Sequence, residues 1–304
     1  MTREELNKAI QEELSQEDHE RRKKKILKGI VIALFFMILF SFFFFLYTTY
    51  ISTTTLEVRE YRIQDSKIPE SFGGIKIIQM SDLHYGSTMY LKEVKKIVKL
   101  SNERKPDIVV FTGDLLYPSY ELTSKEQEKL IQELQKIDAS MGKYAILGDE
   151  DTEKVSTIFN QSNFTLLRNE YDLVYSEENQ PILLIGLSSM KKEQNITQGY
   201  QYFQEEIHLA DIYTITLLHE PDAIDEILPT HPTDLFLAGH SHNGNIRLPF
   251  SGYSIFKKEN ATHYYKEFYD LTDSKLYISS GLGTEKGIRL FCRPSINFYR
   301  LSSK

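Results

Sequence analysis

The 304-residue chain has no tryptophan, one cysteine and 9 prolines. A lone thiol, Cys292, excludes an internal disulfide and any cysteine-built zinc module. Lys and Arg number 36 against 43 Asp and Glu, so no nucleic-acid binding is expected, because it usually needs a basic face to displace counterions. With 15 glycines and few prolines, collagen-like and low-complexity readings fall away, and the composition is that of a globular protein. Charge is missing altogether from residues 29–47, GIVIALFFMILFSFFFFLY, where Ser41 is the one clearly polar break.

At about 1.5 Å rise per residue, that stretch is long enough to cross a hydrocarbon core of about 30 Å. Arg21, Arg22, Lys23, Lys24, Lys25 and Lys28 precede it, and no charge follows until Glu57. The asymmetry predicts a single-pass signal anchor at 29–50 in the cell membrane, a cytoplasmic tail at 1–28 and an extracytoplasmic domain at 51–304. A cleaved signal peptide would have a shorter apolar region and a small-residue cleavage site, which residues 47–52 do not offer. A twin-arginine signal is disfavoured because Ile26 and Leu27 lie too far from Arg21 and Arg22. Thr2 and Glu5 can form a capping box, and Leu6, Ile10 and Leu14 recur at helical spacing, so a short, partly helical tail is expected. The portion beyond Lys28 is acidic, and any attraction for an anionic ligand must be local to a site.

About 250 residues remain after the anchor, enough for one large domain. Strands are expected at 56–63, 75–80, 108–112, 144–147, 181–185, 212–218, 234–238 and 275–279, and helices around 91–100 and 124–137. Residues 52–55 read as a spacer. Strands alternating with helices imply an α/β fold with a largely parallel or mixed sheet, whose function gathers in loops at the carboxyl ends of strands.

Those loops carry the unusual residues. The run IKIIQM ends in Ser81-Asp82-Leu83-His84, IVVFT in Gly113-Asp114 and YAIL in Gly148-Asp149-Glu150-Asp151. IYTITLL is followed by His219-Glu220-Pro221, and DLFLA by Gly239-His240-Ser241-His242-Asn243-Gly244. Each piece alone is ordinary turn chemistry. Together, five strand ends delivering carboxylate and imidazole suit a pair of divalent cations such as manganese, iron or zinc. Asp82-x-His84 and His240-x-His242 set two donors on one side of an extended segment, and Asp114 has two oxygens to share. Two such ions polarise a phosphoryl group and activate water for in-line attack.

The set resembles the calcineurin-like metallophosphoesterases, whose pattern runs D-x-H, G-D, G-N-H-D/E, H and G-H-x-H, and it is most similar to their small membrane-associated bacterial branch. Gly281-Leu-Gly-Thr, with Arg289 and Arg293-Pro294, resembles that branch's ending. The resemblance covers residues 57 to 304 and implies a two-sheet sandwich flanked by helices. It implies one metal on Asp82, His84, Asp114 and His242, and another on Asp114, Asp149, His219 and His240. A phosphomonoester or phosphodiester would be the substrate, and the anchor suggests one from the cell envelope.

The third motif departs from the family. Asp149 stands where the family has an amide, Glu150 replaces the histidine that assists the leaving group, and Tyr117 stands where an acidic residue is common. A third carboxylate lowers the net charge of the ion pair and weakens attraction for an anionic substrate. Loss of the histidine removes acid–base help worth about 10²–10⁴-fold. Glu150 can act as the catalytic acid only if burial or its neighbours Asp149 and Asp151 keep it protonated. Two alternatives to a working hydrolase therefore stand: a metal- or phosphate-binding module without turnover, and an inert anchor without metal. Asn-x-Ser/Thr triplets at Asn160, Asn163, Asn195 and Asn260 matter only in a eukaryotic secretory pathway.

Overall fold

The computed structural model describes residues 2–176, 180–192 and 212–303; the triplet at Asn195 lies outside them. The chain forms two compact units, residues 1–48 and 49–304.

The first unit is formed by one continuous helix, Arg3–Leu46, so the expected tail and apolar stretch share a single helix. Its capping box closes as both residues require, Glu5 accepting from Thr2 N–H at 2.7 Å and Thr2 Oγ1 from Glu5 N–H at 3.4 Å. No proline or glycine pair interrupts the basic stretch, so the helix runs through it. Ser41 Oγ donates to Met37 O at 2.8 Å, so the one polar break is satisfied inside the helix. Among the described residues this is one helix long and apolar enough, by length and composition, to cross a membrane. Residues 47–54 form helical turns, and these take in 52–54 of the expected spacer 52–55.

The second unit contains two six-stranded mixed sheets among the described residues. The first runs in the order β1 (Glu57–Gln64), β12 (Ser295–Ser302), β2 (Lys76–Met80), β3 (Ile108–Thr112), β4 (Gly142–Ile146) and β5 (Thr165–Leu166). β2 to β5 are parallel, and β12 is antiparallel to β2. The second runs β10 (Phe268–Asp270), β11 (Lys275–Ile278), β9 (Leu235–Ala238), β8 (Thr214–Leu218), β7 (Pro181–Gly186) and β6 (Glu170–Tyr175). Its middle strands are parallel, and each edge strand is antiparallel to its neighbour.

Strand alternation builds three cores. Ile77, Ile108 and Val110 of the first sheet meet Leu184, Ile215, Leu217 and Leu237 of the second between the sheets. Ile78, Val109 and Phe111 point the other way, onto helices Leu91–Glu103, Ser124–Gln135 and Glu153–Gln161. Leu183, Ile185 and Phe236 pack under Ile224 and Ile227 on the far face. The architecture is the expected two-sheet sandwich flanked by helices.

Candidate metal centre

The parallel strands deliver their carboxyl ends to one edge of the sandwich, where the five polar loops follow β2, β3, β4, β8 and β9. The loops stay bonded to one another past the last ladder rung. Asp82 N–H donates to Gly113 O at 2.9 Å, His84 N–H to Asp114 O at 3.1 Å and Gly239 N–H to His219 O at 3.1 Å. Asp82, His84, Asp114, His240 and His242 all take left-handed φ between 42° and 60°. Such conformations cost on the order of 1–3 kcal/mol each and persist only where the surroundings over-determine them. Gly113 and Gly148 allow the close approach: a Cβ would lie 2.5 Å from His219 Nδ1 at the first and 2.2 Å from Asp114 Oδ1 at the second.

All seven expected side chains come together, in two groups whose donor atoms lie within 4.8 Å of one another. One group is Asp114, Asp149, His219 and His240; the other is Asp82, His84 and His242. Asp114 Oδ2 joins them, 3.2 Å from His219 Nε2 and 3.9 Å from His84 Nε2. Asp82, His84, Asp114, His219, His240 and His242 are buried.

The ring orientations test whether these residues suit a metal. His219 Nδ1 lies 2.7 Å from Thr112 O, which can only accept, so that nitrogen carries its proton. Nε2 is left facing Asp149 Oδ1 at 3.1 Å and Asp114 Oδ2 at 3.2 Å. His240 is fixed the other way round, Nε2 donating to Glu259 O at 2.8 Å while Nδ1 faces Asp149 Oδ1 at 3.2 Å. His84 Nε2 and His242 Nε2 face each other at 3.2 Å, and His242 Nε2 lies 3.5 Å from Asp82 Oδ1. Lone pairs this close need a shared cation, a proton or a metal. Metal–ligand bonds of about 2.0–2.2 Å set neighbouring donors about 3–3.5 Å apart, which these separations match. Asp114 Oδ2 and His240 Nδ1 are buried without a hydrogen-bond partner. The donor set therefore fits divalent metals.

The charges agree with that geometry. Burial disfavours charge on His219, but Asp114 and Asp149 outweigh it and raise its pKa well above the usual imidazole value. Burial likewise opposes ionisation of Asp114 and Asp149, and the histidines override it, holding both carboxyls well below the ordinary range. Burial, then the Lys258 charge, pushes His242 well down, so its ring is neutral as a ligand must be.

Asp151 and Glu150 of the third motif lie beside the ligands, and Glu285, Lys258 and Lys191 join them without having been marked by the sequence pattern. Asp151 lies beneath the site and accepts from Asp114 N–H at 2.8 Å, Leu115 N–H at 2.9 Å and Gly148 N–H at 2.9 Å, tying two loops together. Burial and then Asp114 push its pKa up to about 6, against the pull of the Gly148 and Leu115 N–H groups. Glu285, on the loop after β11, comes within 3.8 Å of both His84 Nε2 and His242 Nε2 and pairs with Lys258. A signal existed for Glu285, since β11 is one more parallel strand whose carboxyl end opens on the same edge. Lys191 pairs with Asp149. Glu150 places Oε2 3.3 Å from His84 Nδ1.

The model for "calcineurin-like phosphoesterase" matches residues 75–244. The chain belongs to the calcineurin-like phosphoesterase family. A relative in Bacillus subtilis, the uncharacterized metallophosphoesterase YkuE, is 31% identical over 84% of this chain and 88% of its own. The phosphodiesterase YaeI of Escherichia coli is 25% identical over 74% of this chain and 82% of its own. The UDP-2,3-diacylglucosamine pyrophosphatase LpxG of Chlamydia muridarum is 26% identical over 78% and 87%. Within this calcineurin-like phosphoesterase, all five metal motifs fall inside the matched residues, and the Glu285 loop falls beyond them.

Proposed function

We propose that the protein is a membrane-anchored phosphoester hydrolase with a dinuclear metal site. Asp82, His84, Asp114 and His242 would hold one divalent cation, and Asp114, Asp149, His219 and His240 the other, with manganese, iron or zinc as the candidates. The observation that carries this reading is Asp114 Oδ2, buried without a hydrogen-bond partner and facing a histidine of each group. When bound, the ions supply Lewis-acid charge for the phosphoryl oxygens and activate the attacking water.

The protein's own residues do the rest. His219 and His240 are held in their binding tautomers by Thr112 O and Glu259 O. Glu150 faces the Nδ1 edge of His84, opposite the metal-binding edge, and so orients that ring; a carboxylate behind a ligating histidine commonly has this task. Lys258, Lys257 and Lys286 line a cavity of about 110 Å³ beside His242 and give a phosphoester anion local positive charge in a chain of net −7. The relatives named as a phosphodiesterase and a pyrophosphatase favour a phosphodiester or phosphoanhydride linkage over a monoester. The basic residues Arg21 to Lys28 before the apolar stretch of helix Arg3–Leu46 support a cytoplasmic N-terminus and an extracytoplasmic domain, beside envelope substrates.

One observation favours the module without turnover. Glu150 faces His84 at 3.3 Å, and no histidine stands in its place to protonate a leaving group. The deciding experiment loads the purified protein with manganese and assays an aryl phosphodiester beside Asp114→Ala and Glu150→His. Turnover in the parent that vanishes in Asp114→Ala supports the hydrolase. Turnover only in Glu150→His assigns the binding module, and no retained metal overturns both.

A further inference from the structure

Beyond the metal motifs the chain turns back on itself in a hairpin, Arg247 facing Ser254, with Leu248 N–H donating to Tyr253 O at 2.9 Å and Ile255 N–H to Ile246 O at 3.1 Å. Its tip is Pro249-Phe250-Ser251-Gly252. Phe250 is fully exposed and takes a left-handed φ of 68°. Leu248, Tyr253, Ile255 and Phe256 are exposed beside it. Leu290 runs alongside, its N–H on Asn245 O and its carbonyl accepting from Arg247 N–H, and adds exposed Ile288 and Phe291. Seven large apolar side chains thus crowd one projection, whereas soluble surfaces rarely leave so many together.

The cations left free beside them are few and exposed: Lys257 and Lys286, with half-buried Arg247, whereas Lys258 is paired with Glu285, Arg293 with Glu57, and Arg289 is buried. Lys257 sits over the Tyr265 ring at 4.6 Å and Lys286 over Phe256 at 5.9 Å, so both cations ride at the edge of the apolar surface. Apolar tip, aromatic shoulder and basic collar are the composition that enters an interface between acyl chains and anionic head groups. The foot of the hairpin, Ile246 and Phe256 with Lys257 and Lys258, also walls the cavity beside His242.

We propose that this hairpin inserts into an anionic lipid surface and seats the mouth of the metal site on it. The occupant is the bilayer itself, and phosphoesters lying in it reach the cavity without leaving the surface. The proposal concerns docking and holds whether or not the site turns over.

Absence of tryptophan makes the test direct. Full-length protein carrying Phe250→Trp is reconstituted into phosphatidylglycerol vesicles with brominated acyl chains, beside Tyr175→Trp as the control. Tyr175 is exposed at the carboxyl end of β6, paired with Pro181 at the amino end of β7 and so opposite the site. The expected result is a blue-shifted emission that bromine quenches at 250 and not at 175, and that is lost in phosphatidylcholine or when Lys257→Glu and Lys286→Glu are added. Equal quenching at both positions, or none at 250, overturns the proposal. A shift that follows protein density and not lipid composition assigns the hairpin to a second copy of the chain and also overturns it.

Discussion

Nδ1 of His84 lies 3.3 Å from Oε2 of Glu150, while Nε2 of the same ring faces His242 and Asp114. The imidazole therefore faces a carboxylate on one edge and the ligand cluster on the other. Burial opposes a charge on this ring, and Glu150 is the largest influence favouring it. A carboxylate so placed fixes ring orientation and raises ligand basicity. Glu150→Ala is expected to weaken metal binding by about 10–100-fold, read by competition against a chelating dye. If affinity is unchanged and only turnover falls, Glu150 works on the leaving group and the orienting role is wrong.

Asp151 is expected to matter as much for folding as any ligand. Its two oxygens satisfy three backbone N–H groups from two loops, and no other described acceptor is bonded to the side of those groups it fills. Asp151→Ala would leave Asp114, Leu115 and Gly148 N–H unpaired at about 1–3 kcal/mol for each buried orphan. Urea unfolding should show the midpoint falling sharply in Asp151→Ala and less in Asp151→Asn, which keeps one accepting oxygen. Equal, small losses in both variants would refute the clamp.

Metal removal should lower stability, because the cation binds the folded loops and not the unfolded chain. At about 100 times the dissociation constant each site adds about 2.7 kcal/mol, and about 2–4 °C of Tm follows per kcal/mol in a domain this size. Chelation is expected to lower Tm by several degrees and added manganese to restore it. Asp114→Ala, which removes the shared carboxylate, should respond to neither.

The fold was legible wherever a strand was an apolar run closed by a polar loop, as at β2, β3 and β7. β12 was not, although it lies between β1 and β2 and is almost wholly buried. Its apolar alternation is broken by Ser295 and Asn297, which are buried in a polar network: Tyr299 Oη donates to Gln79 Oε1 at 2.7 Å, and Asn297 Nδ2 to Tyr299 Oη at 3.1 Å. β6 was hidden for another reason, being a half-exposed edge strand. The seven donors announce themselves because each sits at the tip of such a run. Asp151 stood in the third motif without its clamping role being visible, Glu285 could be traced only through the strand before it, and Lys258 not at all, because its work is done across loops distant in sequence.

Lys258 supplies the last prediction. Burial disfavours its charge, but Glu285, Asp82 and Asp114 outweigh that and keep the ammonium protonated. Glu285 draws it toward His84 and His242, at the wall of the cavity. A phosphoester approaching the site meets this cation, and hydrogen bonds to charged groups are worth about 1.5–3 kcal/mol. Lys258→Met keeps the aliphatic stem and removes the charge. KM for an anionic substrate should rise about tenfold, the equivalent of about 1.4 kcal/mol, with a smaller change in kcat. Lys257→Met, whose parent side chain is exposed and screened by salt, should change KM less. A fall in kcat at constant KM would mean that Lys258 acts only by holding Glu285, and its role in attracting substrate would be withdrawn.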